Sequence, residues 1–285
     1  MRSRFLTPPP AKGVFAVLQT AAAAHRAGKL DEALEGYERV LRLQPRNSEA
    51  LRLKGSVLGS QKKWSEAITV LRAAVQAQPK SVEALYGLGN ALQSHGDLGE
   101  AELAYRQALQ LRPKFPEALC NLGNLLMAMN RWAEAVVVHR QAVAAKPAWA
   151  TGWSNLSIAC RESGQIAEAV SAARSALDED PMHRDALHGL GRASEKAEDW
   201  PTALMAFRKL AMYHGPSAET HFRIGGVLRA QGHEEQAATE LAKAAALEPH
   251  NADIAQALAA VLLSLGRGGE ADTGVARVGS VAAVR

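Results

Sequence analysis

Cysteine is scarce in this chain: two residues in 285, Cys120 and Cys160, in no CxxC pair. That excludes a disulfide-stapled scaffold and a cysteine-rich zinc site. It predicts small buried or half-buried thiols in a reducing compartment, cytoplasmic rather than secreted or periplasmic. Aromatic residues make up only 5%, and no segment alternates polar and apolar residues as a half-buried strand would. The class expected is all-α. No apolar run approaches the ~18 residues of a membrane span. A dominant sign of charge is lacking too, since 33 basic against 29 acidic residues leave +4. A nucleic-acid partner is not expected from so mild an excess.

Signatures of catalysis are also missing. No phosphate-cradling GxxxxGK[ST] or GxGxxG follows a strand. The run from His233 to Ala237 lacks the second histidine of a zinc helix. Ser60 to Lys63 matches SxxK at a hairpin turn without companion motifs. The nine histidines occupy unrelated places in the repeat described next, so no metal cluster is expected. Nucleophile, base and oxyanion donor never assemble. The expectation is a non-enzyme with no cofactor and no metal.

What the chain has is repetition. In the stretch from Val82 to Phe115, Leu85, Leu88, Gly89 and Leu92 fall at i, i+3, i+4 and i+7, one face of a helix. Gly96 breaks it, Ala101, Tyr105 and Ala108 lay out the inner face of a second helix, and Pro113 stops that one. The same 34-residue register runs seven times over residues 14–251, from starts at Val14, Ser48, Val82, Pro116, Ala150, Arg184 and Ala218. Second helices end at Pro45, Pro79, Pro113, Pro147, Pro181 and Pro249, with Gly215-Pro216 near that place in the sixth repeat. Position 20 is alanine eight times: Ala33, Ala67, Ala101, Ala135, Ala169, Ala203, Ala237 and Ala271. Position 8 is small as well (Ala21, Gly55, Gly89, Gly123, Ser157, Gly191, Gly225, Ala259), so the two helices of each hairpin are expected to approach closely.

Flanking segments complete the plan. Residues 1–13 read as a loose arm. Arg2 and Arg4 ahead of VFAVLQTAAAA imitate a secretory leader, but Pro8–Pro10 interrupt it and Val14–Arg26 is required as the first helix. Residues 252–285 continue as one helix, Ala252–Leu265, then lose the pattern among Gly266, Gly268, Gly269, Gly274 and Gly279. They are expected to form a degenerate eighth repeat that caps the array.

Trp153, Leu156 and Ser157, with Ala101, Tyr105 and Pro113, resemble the tetratricopeptide signature W-x₂-L-G-x₂-Y…A-x₃-F…P. The resemblance covers nearly all of the chain. It implies a right-handed superhelix of antiparallel helix pairs whose first helices line a concave groove. Lys54 stands in place of a leucine, and Lys62 and Glu198 in place of turn glycines, which puts the tightness of those turns in question. Trp64, Trp132 and Trp200 begin alternate second helices, where packing is the expected role.

The groove implied by the resemblance exposes positions 2, 5, 6, 9, 12 and 13 of each first helix. Asn90 and Asn124 share position 9; Asn121 and Asn155 share position 6. Amides both donate and accept, so such a ladder can hold a peptide backbone whatever its side chains, with Tyr86 beside it. The ladder resembles the asparagine-lined groove in the repeat domain of O-GlcNAc transferase, though Leu53, Gly87, Gly189 and Arg223 break the position-6 column. Asparagines bonded within or between helices are the equal alternative. A second feature is basic. Arg161, Arg192 and Arg223 step diagonally across successive first helices, with His188 and Arg229 nearby, and favour a carboxylate or phosphate, while Glu162 and Glu195 offset part of their charge. The family's carboxylate clamp is matched at Asn90 and Asn121, but Tyr86, Thr151 and Asn155 replace its cations. Acids at position 2 (Glu49, Glu83, Glu117, Asp185, Glu219, Asp253) fit the helix dipole.

The function expected is a non-catalytic scaffold binding an extended or helical protein segment in its groove, with oligomeric state open. The alternative is a substrate-recruiting arm for a glycosyltransferase or sulfotransferase domain outside this chain.

Overall fold

The computed structural model describes residues 11–269. Among them are fifteen α-helices and no strand: an all-α array of helical hairpins. None of these helices is long and apolar enough to cross a membrane. The chain divides into two compact units, residues 1–130 and 131–285. Unit 1 holds α1 (Ala11–Arg26), α2 (Leu30–Leu43), α3 (Ser48–Ser60), α4 (Trp64–Ala77), α5 (Val82–His95), α6 (Leu98–Leu111) and α7 (Pro116–Ala128). Unit 2 holds α8 (Trp132–Ala145), α9 (Ala150–Glu162), α10 (Ile166–Glu179), α11 (Arg184–Lys196), α12 (Trp200–His214), α13 (Ala218–Ala230), α14 (Glu234–Leu247) and α15 (Ala252–Ser264).

Local chemistry sets these boundaries. Asn47, Ser81, His183, Ser217 and Asn251 all stand immediately before a first helix, and each side chain accepts a hydrogen bond from a backbone N–H of its first turn. Gln44, Gln78, Arg112, Lys146, Asp180 and Glu248 each precede a proline and leave helical geometry, because the proline ring disfavours the α region in the residue before it. The sixth repeat lacks that proline, and α12 accordingly runs to 15 residues before Gly215 ends it at φ 82°. At the other end, α1 starts at Ala11 rather than Val14, so residues 11–13 of the expected arm are helical. Ala11 and Lys12 are good helix formers placed directly after a proline run.

The turn inside each hairpin always uses one left-handed residue: Gly28, Lys62, Gly96, Asn130, Gly164, Glu198, Gly232 and Gly266, at φ between 57° and 103°. Lys62 and Glu198 therefore keep the turn as tight as glycine does, at the steric cost of a Cβ. Asn130 is a third such place, and asparagine tolerates it better.

Every position-20 alanine from Ala33 to Ala237 is fully buried, whereas Ala271 lies outside the described residues. Position 8 contributes differently from the expected small-against-small contact. A Cβ on Gly89 would lie 2.6 Å from Tyr105, one on Gly191 2.5 Å from Phe207, and one on Gly55 2.5 Å from Leu71. The glycine is thus a hole for the large residue at position 24, and the neighbouring alanine lets that residue reach it. Ser157 fills the same place in the fifth repeat by donating its hydroxyl to the carbonyl of Ala169 at 2.7 Å.

Candidate functional site

Unit 1 carries a cleft of about 510 Å³ between α3 and α5. Eight of its lining residues stand at positions 2, 5, 6, 9, 12 or 13 of these first helices, the set that the repeat register exposes. Gly59 and Gly87 leave it open by contributing no side chain, while the space at Gly55 is taken by Leu71. Its apolar wall is Trp64, Tyr86 and Phe115, the last two with ring centroids 4.9 Å apart. Trp64 thus does more than the packing expected of it. It lies along Gly59, where a Cβ would sit 3.5 Å from the indole. At the rim, Glu83 is bonded by Arg112 at 2.6 Å, which holds its carboxyl below the ordinary range, and the same guanidinium lies 5.1 Å over the Phe115 ring.

Asn90 is the polar centre of the cleft. The Tyr105 hydroxyl shares its single proton between Asn90 Oδ1 and Gln93 Oε1, each at 2.7 Å, and Asn121 donates to Asn90 Oδ1 at 2.8 Å. Asn121 also donates to the Tyr86 hydroxyl at 3.1 Å. Burial pushes the Tyr105 phenol upward, so it stays a donor at neutral pH. The Asn121 donor fixes Oδ1 as the acceptor, and so orients the amide. Its Nδ2 has no partner among the described residues, on a side chain that lines the cleft. Asn121 is occupied in bracing Asn90 and Tyr86. Asn124 turns to the Cys120 sulfur at 3.8 Å. Asn155 is on α9, in the other unit. The expected ladder therefore reduces, in unit 1, to one oriented amide and its supports.

Unit 2 gathers the three arginines around Glu195, which no spacing argument placed at their centre. Arg192 lies 3.5 Å and Arg223 3.9 Å from its carboxylate, beyond hydrogen-bonding reach, and Arg161 adds to their field. Burial nonetheless raises the Glu195 carboxyl above its usual range. Arg161 is bound by Glu162 at 2.8 Å, and Arg223 also approaches Glu219 at 3.8 Å. Glu219 in turn lies 3.3 Å from His188, whose pKa burial lowers. Three arginines thus face three glutamates, and the patch that reads as basic in sequence is internally balanced. Arg229 stands exposed at the end of α13.

Neither site holds an activated nucleophile. Cys120 and Cys160 are buried thiols in no disulfide, and burial pushes Cys160 up to about 12. Among the described residues no three His, Cys, Asp or Glu side chains gather to hold a metal.

Comparison with known proteins agrees with this architecture. No curated protein matches the sequence. Among solved structures, a tetratricopeptide repeat protein from Parabacteroides merdae superposes with a TM-score of 0.61 at 18% identity, over 88% of this chain and all of that one. MamA from Desulfovibrio magneticus gives 0.55 at 26%, over 59% of this chain and 94% of its own. YrrB, described as a tetratricopeptide protein with an unusual peptide-binding site, gives 0.56 at 18%, over 72% and 97%. One tetratricopeptide repeat profile matches residues 18–82, 54–116 and 154–219, and a second matches 92–156. Together they run unbroken from residue 18 to residue 219, and the chain belongs to the tetratricopeptide repeat family.

Proposed function

We propose that this protein-interaction scaffold takes an extended peptide segment into the cleft of unit 1. An apolar side chain of the partner enters between Trp64, Tyr86 and Phe115, and a partner backbone carbonyl accepts from Asn90 Nδ2. The observation that carries the reading is the oriented, unspent amide donor in an otherwise apolar cleft of about 510 Å³. That size suits one or two side chains, and a single fixed donor selects backbone over side-chain chemistry. In unit 2, Arg192 and Arg223 hold Glu195 without direct hydrogen bonds, so their donors remain open to a partner carboxylate or chain terminus.

Peptides selected by display against the full chain supply the test, with calorimetry on the strongest binder. Gly59→Leu fills the cleft from a helical position with room for a Cβ. The expected result is a loss of affinity of at least tenfold with an unchanged melting temperature. Binders indifferent to Gly59→Leu would overturn the cleft. Binders indifferent to Arg192→Glu with Arg223→Glu would remove the arginine contact.

A further inference from the structure

Helix α12 differs from every other second helix in what it shows to solvent. Pro201, Leu204, Met205, Arg208, Lys209 and Met212 recur at i, i+3, i+4, i+7, i+8 and i+11, a single stripe opposite the buried Ala203, Ala206, Phe207 and Leu210. Met205 is 44% and Met212 66% exposed. At the same two repeat positions, α2 has Glu35 and Arg42, α4 Thr69 and Gln76, α10 Ser171 and Asp178, and α14 Thr239 and Ala246. Helices α6 and α8 expose Leu103 and Val137 at the first position but carry Gln110 and Ala144 at the second, so α12 alone has a large apolar side chain at both. Two large thioethers in line on one exposed face are therefore particular to this helix and are not demanded by the repeat.

The stripe forms one wall of a groove of about 590 Å³, closed by Leu228 and by the start of α14 at His233 and Gln236. No lining residue is acidic. Arg208 and Lys209 are exposed in its middle and make no ion pair among the described residues. The groove is thus an adaptable apolar strip flanked by two unspent cations. At 1.5 Å per residue the stripe is about 16 Å long, three turns of a helix.

We infer that this groove docks an acidic amphipathic helix of a partner protein. Apolar residues at i, i+3 or i+4 and i+7 lie along Leu204, Met205 and Met212, and flanking Asp or Glu side chains meet Arg208 and Lys209. Charge complementarity selects the acidic partner, and two cations are too few to hold an anionic bilayer firmly. The groove belongs to unit 2 and shares no residue with the cleft between α3 and α5 of unit 1, so either site can fail without the other.

The test uses a display library of helical 16-residue peptides with apolar anchors at those spacings and all other positions random. It is selected on the full chain and counter-selected on Arg208→Glu with Lys209→Glu. Expected are clones enriched in Asp and Glu that lose at least tenfold in affinity on the charge-reversed protein, lose a similar factor on Met205→Ser with Met212→Ser, and become helical on binding by circular dichroism. All four side chains are exposed or edge the groove, so melting temperatures should match the parent. If charge reversal does unfold the chain, Arg208→Gln with Lys209→Gln replaces it. The inference is overturned if no clone depends on these residues, or if dependent clones are not acidic. Self-association that Arg208→Glu with Lys209→Glu abolishes in sedimentation would assign the groove to a second copy. Phosphatidylserine vesicles displacing every selected clone would assign it to a membrane.

Discussion

The ring of Tyr105 occupies the space in which a side chain on Gly89 would begin, with Cε1 2.6 Å from where a Cβ would stand. Because the same tyrosine donates to Asn90, this contact joins core packing to the cleft. Gly89→Ala should push the ring outward and destabilise by about 1–3 kcal/mol, as overpacked cores do. Gly191→Ala, against Phe207, should cost as much without touching the cleft. Thermal melts of both, with peptide affinity measured only for the first, separate the packing effect from the binding effect.

Left-handed turn residues with side chains store strain that glycine would release. Lys62→Gly and Glu198→Gly should each stabilise by up to about 1 kcal/mol, the αL cost less the greater freedom glycine has when unfolded. Asn130→Gly should gain less. Urea titrations in which the two substitutions destabilise would show that the lysine and glutamate earn their place by some contact beyond the turn.

His139 stands at position 24, where the other repeats place Tyr37, Leu71, Tyr105, Ala173, Phe207 and Leu241, and it is fully buried with neither ring nitrogen bonded among the described residues. Burial lowers its pKa to about 4. The unfolded chain binds the proton near pH 6.5 and the folded chain does not, so stability is complete above that pH and falls as pH drops toward 4. The loss attributable to this residue is on the order of 3 kcal/mol. His139→Leu should raise stability at neutral pH and flatten its decline between pH 6.5 and 4. Parallel pH profiles for parent and variant would contradict this assignment.

Glu195 is the counter-charge that the three arginines share. Burial outweighs their attraction and raises its pKa, so Glu195→Gln should hold or raise the melting temperature at neutral pH, while leaving three arginines to two glutamates. Added sulfate should stabilise that variant more than chloride of equal ionic strength, because guanidinium forks pair with oxyanions. Equal effects of both salts would mean that the arginines do not act as a cluster.

The fold was legible because repeat packing is a short-range matter. A small residue at position 8, an alanine at 20 and a helix stop at 32 each act within one hairpin, so their recurrence reveals hairpins directly. The site was legible only as a set of positions. Register put Tyr86 and Asn90 on the exposed face, but it could not show that Asn121 would be occupied in bracing them. Nor could it show that Trp64 would line the cleft as well as pack. The sole cue for Trp64 was glycine at positions 59 and 87, which opens space beside it.

By itself, the sequence determined the all-α class, the 34-residue hairpin and the family, with the left-handed turn only where it is glycine. These rest on covalent geometry and on side chains close along the chain. The tertiary structure alone decided which polar groups remain unspent: Asn90 Nδ2 and Asn124 Oδ1 among the unit 1 amides, Arg208 and Lys209 on α12, and the donors of Arg192 and Arg223 that Glu195 does not engage. Hydrogen bonds and ion pairs between residues some thirty positions apart depend on how neighbouring hairpins stack, and a difference of one ångström decides whether a charge is shared or free.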